Sequence, residues 1–205
     1  MIKITLYILT FFFSAQLLAD ELVYFPFNEN LGAVAVDYSG NNSVGVFSDG
    51  LDLVSNEFGP QGFTAHFNQN NDRIDLEGFN VVGNQISISL WFKATKFVNK
   101  NNDGRLISKA SGTSSDEHIL MLSTIRVGTE TRLRARLKTD GRAKTRTMVA
   151  VSGDVHLNTW HHVAFVYDGG SAKLVLDGAV VGSYAIAGDI LNDLNIFTAI
   201  GNQPS

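Results

Sequence analysis

One stretch, NTWHHVAFVYDGGSAKLVLDG at residues 158–178, constrains the fold of this chain more than any other. Residues 160–167 are rich in β-branched and aromatic side chains, which is typical of one half-buried strand. Residues 168–170, Asp-Gly-Gly, predict a hairpin turn because glycine accepts the positive φ that tight turns require. Residues 173–176 and 180–184 read as two further short strands. Three strands joined by glycine-rich turns predict an antiparallel meander and an all-β domain.

Residues 85–94 show the clearest strand periodicity in the chain. Their apolar side chains, at positions 86, 88, 90 and 92, fall on one face, and we expect that face in the core. Trp91 falls on the opposite face beside two serines. An exposed Trp91 would suit carbohydrate binding, because a flat aromatic ring can pack on the face of a pyranose. Trp160, at the start of the central strand, is expected in the core.

The W-H-H-V-A, Y-D-G and L-x-L-D-G motifs of residues 160–178 resemble laminin-G-like, concanavalin A-type jelly-roll domains of secreted bacterial proteins. Further segments match such domains in the same order, at residues 22–30, 37–41, 65–72, 86–92 and 199–201. The resemblance implies an all-β, two-sheet antiparallel jelly-roll sandwich over residues 20–205. Related domains carry one more strand after the Ile-Gly motif, so the resemblance implies either a fragment that lacks its last strand, which we favour, or a fold that closes differently. The fold hosts many binding activities and a few enzymes, so function has to be argued from the site.

Residues 1–19 are predicted to be a secretory signal peptide. Lys3 supplies the positive start, residues 4–18 an apolar run, and Ala19 a small residue for cleavage. The run is shorter than the ~20 residues of a membrane span, although an uncleaved anchor is the alternative. The chain contains no cysteine, so no disulfide braces it after export. We expect one secreted, periplasmic or cell-surface domain with no membrane span after cleavage and no nucleic-acid partner.

A basic segment stands out in a chain whose net charge is −4. Residues 126–146 hold eight of the sixteen Lys and Arg residues and two acids, so the segment carries +6 and the remainder −10. Cations alternate with apolar residues from 132 to 138. Thr139-Asp140-Gly141 then predicts a three-residue hairpin loop, with Gly141 in the left-handed position. This register opposes 138 to 142, 136 to 144 and 134 to 146, and it places seven cations on one face, namely Arg132, Arg134, Arg136, Lys138, Arg142, Lys144 and Arg146.

Like charges directly opposite each other destabilise a sheet, and a polyanionic ligand would offset that cost. Arginine suits this role because its planar fork pairs in bidentate fashion with carboxylate or sulfate. The hypothesis is therefore a site for an anionic polysaccharide, with uronic-acid or sulfated residues. One alternative is a solvated face that guards against edge pairing or is neutralised by nearby acids. A two-residue turn at 140–141 would instead divide the cations between the two faces.

The resemblance also implies a calcium site at residues 37–42. Asp37 would supply a carboxylate and Asn42 a side-chain or backbone oxygen, the ligands that Ca²⁺ prefers. The acidic partner that related domains carry in the last strand is absent, and a turn held by local hydrogen bonds is the alternative. His161 and His162 point to opposite faces of their strand, so we expect a structural role for them rather than a shared metal ion.

We expect no catalytic activity from this chain. Some glucanases of this fold use an E-x-D-x-E strand to bring two glutamates together, but residues 73–77 read R-I-D-L-E and lack the first carboxylate. The predicted function is non-catalytic extracellular recognition of a polysaccharide or glycoconjugate, with calcium as a structural cofactor. Two other classes stay open, a protein-binding or adhesion module with a surface protein as its partner, and a divergent polysaccharide-degrading enzyme.

Overall fold

Two antiparallel sheets packed face to face enclose the main core in the computed structural model. The structure describes residues 21–27, 33–48, 50–55, 63–97 and 104–204. The strands are β1 Val34–Val36, β2 Val44–Phe47, β3 Asp52–Ser55, β4 Phe63–His66, β5 Ile74–Leu76, β6 Ile86–Lys93, β7 Gly104–Ala110, β8 His118–Val127, β9 Glu130–Leu137, β10 Arg146–Val149, β11 Trp160–Tyr167, β12 Ser171–Leu176, β13 Ala179–Ala185 and β14 Thr198–Ile200.

The larger sheet has eight strands in the order β1-β2-β5-β14-β7-β8-β9-β10, and the smaller has four in the order β13-β12-β11-β6. Strands β3 and β4 form a separate pair. The all-β, two-sheet antiparallel sandwich predicted from the sequence is confirmed. Within the described ranges, the helical content is one 3₁₀ turn, Ser115–Glu117, and no helix there is long and apolar enough to cross a membrane.

Strict alternation of side chains builds the core between the sheets. Leu133 and Leu137 of β9 face Phe165 of β11 and Leu174 of β12 across the sandwich, and all four are fully buried. Burying each such side chain contributes ~1.5–3 kcal/mol, so this layer accounts for much of the stability of the fold. The predicted apolar face of β6 also packs against this core.

The predicted meander forms as expected. β11 pairs with β12, and β12 pairs with β13. Gly169 occupies the turn with φ +90°, and the Asp168 carboxylate accepts the backbone N–H groups of Gly170 and Ser171. The glycine permits the positive φ and the aspartate satisfies the turn amides, so the sequence of this turn accounts for its geometry.

One row of side chains crosses all eight strands of the larger sheet on its outer face, which is the face turned away from the main core. Each member lies directly opposite the next in the register, and the row reads Val34, Val46, Asp75, Ala199, Ser108, Met121, Arg136, Thr147. β14, the last strand within the described residues, fills the middle of this row between β5 and β7. The row therefore changes from aliphatic at β1 and β2, through Asp75 and the fully buried Ala199, Ser108 and Met121, to cationic at β9.

The N-terminal part of the described chain does not pair as a strand before β1. Residues 22–27 form no strand, because Tyr24 donates its N–H to the Asp37 side chain, Pro26 has no N–H to donate, and Phe27 has a φ of +56°. The first strand of the described residues is therefore β1, at residues 34–36. The predicted signal peptide, residues 1–19, lies outside the described residues and stays a prediction.

Candidate functional site

The connection between β9 and β10 is longer than the predicted hairpin. β9 ends at Leu137 and β10 begins at Arg146, which lies directly opposite Leu137. Thr139 pairs with Ile190 instead of turning back, so the predicted three-residue loop and its register are wrong. Gly141 does not have a positive φ, and its role is a close approach to residue 187. A Cβ added at Gly141 would lie 2.7 Å from the Ala187 carbonyl oxygen.

This register divides the seven predicted cations. Arg146 lies on the opposite face from Arg132, Arg134 and Arg136, with its guanidinium 5.9 Å from the centre of the Tyr184 ring. The loop after β9 holds the other three, of which Lys138 donates to the Asp116 carbonyl oxygen at 3.2 Å, while Arg142 and Lys144 are exposed. The predicted single face of seven cations is therefore wrong, because Arg146 lies on the opposite face and Arg142 and Lys144 lie in the loop.

Arg132 forms hydrogen bonds with other residues of the protein. Its Nε donates to the Glu130 carboxylate at 2.9 Å, and its Nη1 donates to the Val151 carbonyl oxygen at 2.6 Å. A neighbouring acid thus neutralises this cation, as one alternative reading of the sequence expected. Arg132 fastens β9 to the chain after β10, and it is not a site residue here.

Arg134 and Arg136 instead join two residues from neighbouring strands. Arg105 of β7 and Arg134 of β9 flank Ser123 of β8 in the sheet register, and Arg134 Nε donates to Ser123 Oγ at 3.3 Å. Arg136 Nη1 donates to Nε2 of His118, the first residue of β8, at 3.4 Å. We call Arg105, Arg134, Arg136 and His118 the arginine cluster.

Burial and like charges lower the pKa values of the three arginines in the cluster. Burial, and then repulsion from Arg136, lowers the pKa of Arg134 to about 10, and the Arg134 side chain is 6% exposed. The same two causes lower the pKa of Arg105, and burial lowers the pKa of Arg136 itself. Desolvation and like charges both disfavour a cation, so each of these positive charges costs folding free energy.

His118 is neutral at pH 7 and has a defined tautomer. Burial first, and then the charges of Arg136 and Arg105, lower the pKa of His118 to about 4, against the opposing effect of a hydrogen bond to Ser114. Nδ1 lies 2.8 Å from the Ser114 carbonyl oxygen, which can only accept, so Nδ1 carries the proton. His118 is therefore a fixed, uncharged member of a cationic group.

Two residues of the arginine cluster, Arg105 and His118, could not be predicted from the sequence because β-bulges change the face on which they lie. The pairing of β7 with β8 shifts between Arg105 and Ile107 and again between Lys109 and Ala110, opposite His118. Each bulge adds a residue to one strand and reverses the simple alternation of faces. The simple alternation of side chains along a strand therefore does not predict that Arg105 and His118 lie beside the arginines of β9.

Trp91 lies on the other side of the sandwich from the arginine cluster. It projects from β6, on the outer face of the four-stranded sheet, and is 50% exposed. Trp91 cannot share one small ligand site with the arginines. Trp160 is half-buried on the same outer face, so its predicted place in the core is wrong. Val163, Phe165 and Tyr167 of β11 point into the core. Because side chains alternate along a strand, Trp160 points outward.

Asp37 is a hydrogen-bond acceptor at the centre of its turn. Its Oδ1 accepts the backbone N–H groups of Tyr24 and Ser39, and its Oδ2 accepts the Ser39 hydroxyl and the Ser43 N–H, all within 2.9 Å. Burial raises the pKa of Asp37, but these hydrogen bonds outweigh burial and lower the pKa to about 2. The carboxylate is saturated by donors.

This geometry does not fit a calcium ion on Asp37, because the ion would have to displace those donors. Asn42 lies in the exposed part of the turn with φ +56°. In the part of the chain that the structure describes, no three His, Cys, Asp or Glu side chains form a metal-binding group. Calcium at Asp37 and Asn42 stays a prediction.

A jelly-roll sandwich with polar groups arrayed on its outer sheet faces defines a class of domains that includes both binding modules and glycoside-cleaving enzymes. The family model described as the concanavalin A-like lectin/glucanases superfamily matches residues 68–205. This match covers more than half of the chain, which therefore belongs to that family. The predicted laminin-G-like, concanavalin A-like relationship is confirmed.

Two solved structures share the fold of this chain. Domain 4 of AbnA, a GH43 extracellular arabinanase from Geobacillus stearothermophilus in complex with arabinotriose, is 20% identical with a TM-score of 0.56, over 82% of this chain and 77% of that one. The binding domain of Paraclostridial Mosquitocidal Protein 1 is 18% identical with a TM-score of 0.62, over 83% of this chain but 42% of that one. At these identities the similarity shows the fold alone. No curated protein matches the chain.

Proposed function

We propose that this protein is a non-catalytic carbohydrate-binding domain that recognises anionic polysaccharides through the arginine cluster. The observation that carries the proposal is the convergence of three guanidinium groups and a neutral imidazole on one outer sheet face. Carboxylate and sulfate groups pair with arginine in bidentate fashion, and such charge-assisted hydrogen bonds are about twice as strong as neutral ones. Membership of a family of lectins and glucanases, and a structural neighbour crystallised with arabinotriose, support carbohydrate as the carrier of those groups.

The non-catalytic part of the proposal rests on the strand that resembles the E-x-D-x-E motif. Arg73 stands in place of the first glutamate, and its Nε donates to both oxygens of Asp75, at 3.0 and 2.9 Å. The central carboxylate is thus paired with a cation, and the strand lacks the first of the two glutamates that a retaining mechanism requires. This geometry supports recognition over cleavage.

Affinity electrophoresis of the protein in gels that contain alginate, a sulfated galactan or a neutral β-glucan tests the proposal. We expect retardation by the anionic polymers that weakens at high salt, because salt screens the attraction between the polymer and the cations of the protein. Arg136→Gln removes one charge-assisted contact, so we expect about 10- to 100-fold weaker binding to those polymers. The matched control is Arg142→Gln, which deletes an exposed cation of the loop that follows the same strand and should leave the affinity nearly unchanged.

Two results would contradict the proposal. Equal loss of affinity in both variants would mean that general positive charge, rather than the arginine cluster, attracts the polymer. A folded protein that no anionic glycan retards would favour the adhesion alternative, with a protein as the partner. Repeating the gels with and without calcium tests whether the ion contributes to binding.

A further inference from the structure

Both tryptophans of the chain lie next to each other on the outer face of the four-stranded sheet. Trp91 of β6 lies directly opposite His162 of β11, and Trp160 lies directly opposite Lys93, two positions further along. The two indoles are therefore diagonal neighbours across one strand pair, a separation that large aromatic side chains span. The rings of Trp91 and His162 are 5.3 Å apart between centroids and tilted by 54°.

Hydrogen-bonding groups surround this aromatic pair. His162 Nε2 lies 2.7 Å from Ser89 Oγ, and the Lys93 ammonium lies 5.3 Å from the centre of the Trp160 ring. Because β6 is the edge strand of its sheet, its outward side chains form an exposed ladder open to one side. The ladder consists of Ser87, Ser89, Trp91 and Lys93.

The ladder has the chemistry and the length of an oligosaccharide site. It extends over about 20 Å at ~3.3 Å per residue, which exceeds a single sugar ring. A half-exposed indole offers a flat surface to the C–H face of a pyranose, while hydroxyl, imidazole and ammonium groups on either side can bond the sugar hydroxyls. Because no aliphatic side chain projects outward from β6, this edge lacks the wide apolar area that a stable protein interface needs.

We propose that the outer face of β6 and β11, around Trp91, is a second carbohydrate-binding surface, specific for neutral β-linked glycans. Such chains are extended and present flat ring faces at regular intervals, which suits a straight ladder of outward side chains. This surface and the arginine cluster lie on outer faces of different sheets, so one molecule can hold an acidic and a neutral glycan at once. The proposal does not depend on the arginine cluster binding anything.

Affinity electrophoresis of the full chain in gels that contain barley β-glucan tests this surface. We expect the wild type to be retarded and Trp91→Ala to bind at least 10-fold more weakly, with Trp91→Phe between the two because phenylalanine keeps a smaller stacking face. Phe197→Ala is the matched control, since Phe197 is also an exposed aromatic but lies outside both strands. Arg136→Gln should bind β-glucan as the wild type does, which separates failure of this surface from failure of the arginine cluster.

Thermal unfolding monitored by circular dichroism shows that each variant is folded before its binding is compared. Three results would overturn the proposal. One is a wild type that β-glucan does not retard, and another is a Trp91→Ala variant that is retarded as strongly as the wild type. The third is a wild-type dimer in size-exclusion chromatography that Trp91→Ala converts to a monomer, which would assign the face to a second copy of the chain.

Discussion

Acid should destabilise this protein through one buried side chain, His118. Its pKa falls from 6.5, the ordinary value, to about 4 in the folded protein. The unfolded chain therefore binds this proton more tightly, and the stabilising effect of a neutral His118 is present above pH 6.5 and is lost as the pH falls towards 4. For a shift of this size, the free energy of unfolding should drop by about 2 kcal/mol between pH 7.5 and pH 5. For a domain of this length, that corresponds to about 6 °C in Tm.

Urea unfolding of the wild type and His118→Asn at several pH values measures this contribution. The asparagine amide can replace Nδ1–H as donor to the Ser114 carbonyl oxygen but does not titrate, so this variant should lose about 2 kcal/mol less than the wild type between pH 7.5 and pH 5. His66→Asn is the matched control, because the His66 side chain is exposed and its substitution should leave the pH profile unchanged. Parallel profiles for the wild type and His118→Asn would refute the reasoning.

The same titration connects stability to the proposed function. A polyanion bound at the arginine cluster would offset the charges of Arg136 and Arg105 that help to lower the pKa of His118. Saturating alginate should therefore raise this pKa and reduce the acid-dependent loss of stability. Nuclear magnetic resonance titration of the His118 ring, with and without alginate, reads out this coupling directly. An unchanged pKa in the presence of bound alginate would place the polymer elsewhere.

Two further predictions concern the turns beside the sheets. Asp37→Asn should lower the free energy of unfolding by about 1–2 kcal/mol in calorimetry at pH 7, because it weakens the bonds to a charged acceptor. Since the pKa of Asp37 is about 2, the wild type should keep this contribution at pH 5 and lose it as the pH falls from about 4 through 2. Calcium that raises the Tm of the wild type but not of Asp37→Asn would instead support an ion site. Gly141→Ala should cost about 1–3 kcal/mol, because its Cβ would lie 2.7 Å from the Ala187 carbonyl oxygen. Gly170→Ala is its control, as the nearest atom to that Cβ is 3.8 Å away, and equal Tm values for the two would contradict the steric argument.

The sequence predicted the fold well wherever side-chain period and turn chemistry act locally. The alternation in β6 and β11 and the Asp-Gly-Gly turn after Tyr167 depend on neighbours within a few residues, and the structure confirms them. The loop after Leu137 could not be predicted, because Thr139 forms an antiparallel β-bridge with Ile190, which is distant in sequence. Period two placed Trp91 on an outward face but could not say which sheet that face belonged to.

The candidate site was predicted only in part, for a related physical reason. Arg134 and Arg136 share a face because they alternate within one strand, so a local rule suffices. Arg105 and His118 reach that face only through bulges in the pairing of β7 with β8, and the residues of one strand do not record such shifts. The single-face interpretation also assumed that all seven cations belonged to paired strands, whereas Arg142 and Lys144 lie in an exposed loop.

The central position of β14 determines when the protein can fold during synthesis. The eight-stranded sheet stays divided into a β1-β2-β5 part and a β7-β8-β9-β10 part until residues 198–200 have left the ribosome. Closing the sheet joins β14 to β5, a contact between segments more than 100 residues apart, and such long-range pairing is slow. A chain terminated before β14 would present two unpaired strand edges, at β5 and at β7, each able to pair with another copy. Premature termination should therefore yield an aggregating product rather than a weaker binder.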